Sequence, residues 1–187
     1  MKRLRKPILA LALCCTLAIT ACTAAQIAAD INLAAQIAVN VLSILSAFGG
    51  TPQSAHDTQM VNDFQKVLQN SVTSFEANKN AGASALVAVA EAAQTNIPAF
   101  LAAAQFDNQA LGARIIDAAN SFLSVVETIA AYVQPNVVVP PPPAPVALKA
   151  GGSYHVPARV KLSHSQIVNQ WNAVVCQGAS TQACVIR

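Results

Sequence analysis

A mainly α-helical fold, an antiparallel up-and-down bundle of about four helices, is what the order of residues in this 187-residue chain predicts. Three observations carry that expectation. Apolar side chains recur at alternating steps of four and three through four long segments, which places each set on one helical face. Residues that stop helices stand between the segments, and the joins are short enough to make sequential helices antiparallel neighbours. A proline-rich stretch and a compositionally different tail follow.

The first segment, from Ala24 to Phe48, carries Ile27, Ile31, Ala34, Ala38, Val41, Leu45 and Phe48 on one face, with Gln26, Gln36, Asn40 and Ser43 mostly opposite. Gly49-Gly50 and Pro52 end it, since glycine accepts the left-handed cap and proline cannot continue the helix. The second runs from Asp57 to Asn78 and aligns Met60, Val61, Phe64, Val67, Leu68, Val72 and Phe75. Asn80-Ala81-Gly82 interrupts the pattern. A third segment, Ser84 to Phe106, has Leu86, Val89, Ala93, Ile97 and Leu101 as its main apolar positions. Pro98 removes a backbone donor and crowds the preceding turn, so a kink or a restart capped by Asn96 is expected there. The fourth, with Asp107 as cap and suited to the helix dipole, reaches Val133 through Leu111, Ile115, Ala118, Phe122, Val125, Ile129 and Tyr132.

Residues 22–134 therefore read as the bundle, 135–150 as a proline-rich linker and 151–187 as a small mixed module. The run Pro-Asn-Val-Val-Val-Pro-Pro-Pro-Pro-Ala-Pro-Val-Ala from Pro135 to Ala147 favours a stiff extended spacer, with docking into an aromatic groove as the alternative use of such a segment. Beyond Gly151-Gly152, Tyr154, Val156, Ala158, Val160 and Leu162 alternate with polar residues and Pro157, the signature of an edge strand or extended arm. Ser163 and Gln166 stand at the two ends of a capping box for a short helix carrying Ile167, Trp171 and Val174. Too small for its own core, this tail is expected to pack on the bundle or on a partner.

The amino-terminal 21 residues have a different layout. Lys2, Arg3, Arg5 and Lys6 precede an apolar stretch from Pro7 to Ile19, followed by small residues, which is the order found in a cleavable export signal. That stretch is too short to span a bilayer. Ile19-Thr20-Ala21-Cys22 resembles the lipobox of bacterial lipoprotein precursors, and the resemblance covers residues 1–22 alone. It implies that the Cys22 thiol takes a diacylglyceryl group and that the bond before it is then cut, with a third acyl chain on the new amino terminus. Each buried methylene contributes about 0.8 kcal/mol, so two or more chains anchor stably where one is marginal. It also implies a membrane location in the cell envelope, the outer membrane if there are two, because Thr23 rather than aspartate follows the anchor. The competing reading is an ordinary secretory signal cut near Ala21, with Cys22 left as a free thiol.

Export is consistent with the cysteines. Cys14 and Cys15 fall in the leader, and Cys176 and Cys184 remain as a pair that an oxidising compartment would join. A nine-residue ring of that kind contributes about 2.5 kcal/mol on the chain-entropy model.

The formal charge of +3 does not point to nucleic acid. Without the four leader cations, seven cations face eight acids, and the balance is uneven along the chain. All eight acids lie in residues 22–134 with Lys66, Lys79 and Arg114, whereas Lys149, Arg159, Lys161 and Arg187 stand in the tail without an acid. Such a basic tail can dock on the acidic body or on an anionic envelope partner such as a wall polymer or lipid headgroups, or be simply solvated. Arg159, Lys161 and Trp171 are the candidate binding surface, the tryptophan alternatively covering the tail's own apolar face.

No zinc-protease helix, nucleophile elbow, phosphate loop or haem-attachment pair is present in the sequence. Among the residue pairs that could support catalysis, Cys176 with His155 or His164 is the best, and Cys184 would consume that nucleophile by oxidation. His56 beside Asp57 is a candidate metal-ligand pair or a solvent-exposed turn histidine. The expectation is a noncatalytic envelope protein without cofactor, acting as an interaction or structural module; the alternative is a carrier of a small apolar ligand held between alanine-lined helices.

Overall fold

In the computed structural model, residues 5–48, 53–134, 146–147, 153–154, 162–176 and 184–186 are described, with backbone alone for 5–22 and for the two short strands. The fold is mainly helical. Helix α1 spans Arg5–Asn40, α2 Ser43–Ala47, α3 Ala55–Asn78, α4 Ala83–Ala103 and α5 Gln109–Val133. A two-residue antiparallel bridge joins β1, Val146–Ala147, to β2, Ser153–Tyr154. Helix α6, His164–Gln170, continues into a π-helical turn over Trp171–Val175.

Four long helices close a ring of neighbours: α1 packs on α3 and α5, α3 on α4, and α4 on α5. This is the expected bundle, and its core holds most of the periodic residues, among them Ile31, Val61, Phe64, Leu68, Leu86, Ile97, Leu111, Ile115, Phe122 and Ile129. The Phe64 and Phe100 rings stack at 5.6 Å between centroids, joining α3 to α4. Helix α5 is more central than a four-equal-helix picture implies. Residues 121–126 are all buried, because α6 and the π turn cover the flank of α5 that α1 and α4 leave open.

Several boundaries differ from expectation, α4 ending at Ala103 rather than Phe106 among them. Helix α1 stops at Asn40 rather than continuing to Phe48. Tight i→i+3 bonds from Ile44 to Val41 and from Leu45 to Leu42 reset the chain, and the Ser43 hydroxyl donates to the Asn40 carbonyl at 2.5 Å. Ile44 is thereby buried while Leu42 is left exposed. Helix α4 runs without a break through Pro98, and Asn96 is an exposed residue of its interior rather than a cap. Ala93, Ile97 and Leu101 are buried on both sides of the proline, so tertiary packing offsets the lost backbone bond. Finally, α5 is capped by Asn108, one residue later than expected.

Gly82, with φ +102°, makes the turn into α4 in a region that L side chains rarely adopt. At the other hairpin, the Phe106 side chain packs on Gly112, where an added Cβ would come within 3.2 Å of it. The capping box at α6 is complete: the Gln166 N–H donates to the Ser163 hydroxyl and the Ser163 N–H to the Gln166 side chain. The expected strand from Tyr154 to Leu162 is present at Ser153–Tyr154, and residues 155–161 lie outside the described residues.

Candidate functional site

Three places combine position with chemistry: the start of the bundle, the opposite end, and the cystine-bearing tail. At the start, the α1 backbone runs continuously through position 22. Thr23 and Ile27 are half-buried, Ala24, Ala25, Gln26, Ala28 and Ala29 are exposed, and full burial begins at Asp30 and Ile31. Cys22 thus precedes the first buried residue by eight positions, with helix and no loop between.

The opposite end holds an interlocked cap that sequence reasoning did not find. Ser54 accepts the Asp57 N–H at 3.0 Å, capping α3, and donates its hydroxyl to Asp107 Oδ2 at 2.6 Å. Asp57, only 1% exposed, accepts the Asp107 N–H at 2.7 Å and the Asn108 N–H at 2.9 Å. Asn108 in turn accepts the N–H groups of Ala110 and Leu111. The unpaired donors at the start of two helices are therefore satisfied by three side chains from both. The signal available in sequence was local only, a serine three residues before an aspartate; the partners lie about fifty residues away.

His56 is half-exposed beside this cap, its Nδ1 3.9 Å from both Asp57 Oδ1 and Asp107 Oδ2. The three residues place one ligand atom each within 4.8 Å of one another. Both Asp57 oxygens already accept backbone N–H groups, and two helix amino termini partly offset the charge of the two carboxylates. The arrangement functions as a cap.

In the tail, Cys176 and Cys184 form the expected disulfide, with Cα atoms 5.7 Å apart. The sulfur proposed as a nucleophile is consumed in that bond; His155 lies outside the described residues. Trp171 corrects the surface reading: it is fully buried, and its indole N–H donates to the Cys184 carbonyl at 2.7 Å. It forms part of the core, while Arg159 and Lys161 lie outside the described residues. The π turn explains why. The Cys176 N–H bonds the Trp171 carbonyl five residues back, which inserts one residue per turn, buries Val175 in place of Val174, and turns Cys176 inward. Asn172 then holds the last residues, donating to the Ile186 carbonyl at 2.8 Å and accepting its N–H at 3.0 Å. Arg114 of α5 donates to the Val174 carbonyl, and Asn40 of α1 to that of Cys184 at 3.4 Å. At the start of α6, His164 Nδ1 lies 3.6 Å from the buried Asp30 carboxylate of α1.

Two open clefts of about 480 Å³ each complete the surface chemistry. One lies along α3 and α4, lined by Val67, Asn70, Ser74, Val89, Ala93 and Asn96. The other adjoins the cap at His56, Met60, Gln105 and Asp107. On α5, burial pushes the Asp117 carboxyl above its ordinary range, and the Arg114 charge partly opposes this.

By length and composition, α4 and α5 are each apolar enough to cross a membrane. In this structure the two pack against their neighbours, α5 more deeply than α4. Arg114, Asp117 and Glu127 would each cost about 2.5–3.5 kcal/mol at a bilayer centre, which favours the packed arrangement.

No family model, no curated protein and no solved structure matches this chain.

Proposed function

We propose that the chain is the precursor of a lipid-anchored, noncatalytic protein of a bacterial cell envelope, in which the helical bundle and its tail serve as an interaction or structural module. The observation that carries the reading is the order of residues at the amino terminus: four cations, a short apolar stretch, then Ile19-Thr20-Ala21-Cys22 directly ahead of the bundle. Support for a noncatalytic role comes from Ser54, Asp57 and Asn172, whose side chains are engaged in caps and clamps, and from Cys176, which is held in a disulfide.

The test is mass spectrometry of the mature amino-terminal peptide together with detergent phase separation. A diacylated Cys22 as first residue, in the detergent phase, is the expected outcome. An unmodified thiol on a protein that stays in the aqueous phase would overturn the reading. Crosslinking in intact cells followed by affinity purification then identifies the envelope component, protein or wall polymer, that the module contacts. The carrier reading has the α3–α4 cleft as its observation; a raised melting temperature with a lipid or haem would promote it, since a ligand that binds the folded state must stabilise it.

A further inference from the structure

We infer that the bundle stands on the bilayer on one particular end, formed by the Cys22 level of α1, the turn at 79–84 and the end of α5, and that this end is a headgroup-contact surface. The inference rests on the lipid-anchor reading of Cys22 and adds an orientation to it.

The topology places the ends. Residues 79–82 join α3 to α4 and residues 104–108 join α4 to α5, so both pairs are hairpins. The far end of α1 is fixed at the opposite pole, where Asn40 bonds Cys184 and the chain turns through α2 toward the cap of α3. The Cys22 level of α1, the 79–84 turn and Gln134 therefore share one pole, and Asp57 and Asp107 share the other.

Reach then restricts the arrangement. As helix, the eight steps from Cys22 to the buried Asp30 cover about 12 Å, whereas α5 alone is about 37 Å long. A tether that short keeps its own pole at the membrane and leaves the cap pole distant.

Charge agrees. In the exposed run 79–84 the charged residue is Lys79, and its pairing with Glu76 at 2.5 Å leaves no net charge there to repel headgroups. Tyr132, half-buried at the end of α5, has the amphipathic ring that suits a headgroup layer. The opposite pole presents Asp107, 64% exposed, and Asp63 lies in the half of α3 nearer that pole; anionic headgroups repel these acids.

The test uses the full-length lipidated protein in phosphatidylethanolamine–phosphatidylglycerol vesicles containing a headgroup-attached nitroxide quencher. A fluorophore is placed by Asn80→Cys in one variant and by Gln105→Cys in another. Both variants should float with the vesicles, the label at 80 losing most of its emission and the label at 105 keeping it. Equal loss at both positions, or greater loss at 105, would overturn the orientation while leaving the anchor intact. Failure of both to float would overturn the anchor reading and the orientation with it.

Discussion

Asp57, near the start of α3, accepts a hydrogen bond from the Asn108 N–H at 2.9 Å across 51 residues of chain, and its other oxygen takes the N–H of Asp107. One buried carboxylate thus pins the α4–α5 hairpin to the beginning of α3. Hydrogen bonds to a charged acceptor contribute about 1.5–3 kcal/mol each, and buried donors left without a partner add their own cost. Asp57→Ala should destabilise the fold by about 2–4 kcal/mol, read as a lower urea midpoint by circular dichroism. A change below half a kilocalorie would mean that water replaces the carboxylate.

Asn108 holds the cap role that the sequence assigns to Asp107. Because the Asn108 side chain accepts two N–H groups of the first turn of α5, Asn108→Ala should cost about 1 kcal/mol. Asp107→Ala removes the hydrogen bond from Ser54 and the approach of His56 at an exposed site and should cost less. The reverse order in thermal denaturation would show that Asp107 carries the cap.

Trp171 is the chain's single tryptophan, so its emission reports the tail directly. Replacing both Cys176 and Cys184 by serine should lower stability by about 2.5 kcal/mol. It should also shift the emission to the red as the segment bearing the Cys184 carbonyl loosens. Unchanged emission at an unchanged midpoint would show that Asn172 and Arg114 hold the tail without the covalent bond.

Asp117 sets a pH dependence of known sign. Its folded pKa is raised above the unfolded value of 3.8 by burial, so the folded state binds the proton more tightly. Stability therefore falls as pH rises through the window above 3.8, and the penalty persists at neutral pH. Asp117→Asn should raise the melting temperature at pH 7 and lose that advantage below pH 3.8. A lower melting temperature at pH 7 would show that the attraction to Arg114 outweighs desolvation.

Most of the helical architecture was legible in the sequence because its signals are local. Steps of four and three among Leu111, Ile115, Phe122 and Ile129 mark a buried face whatever covers it, and Ser163 with Gln166 closes a box within a single turn. Where reading failed, the deciding partner was remote. Pro98 looks like a break until Ile97 and Leu101 are seen buried on either side of it. Val174 fits the helical period until the π turn gives its place to Val175.

The candidate site divides the same way. By itself the sequence determined the helical class and the cystine pair, since spacing and short-range order carry those. Tertiary structure alone decided that Trp171 belongs to the core, that α5 is the central helix, and that Asp57 joins two hairpins. These depend on which surfaces meet after the chain folds back, and the free energy of burying a residue belongs to both surfaces of a contact.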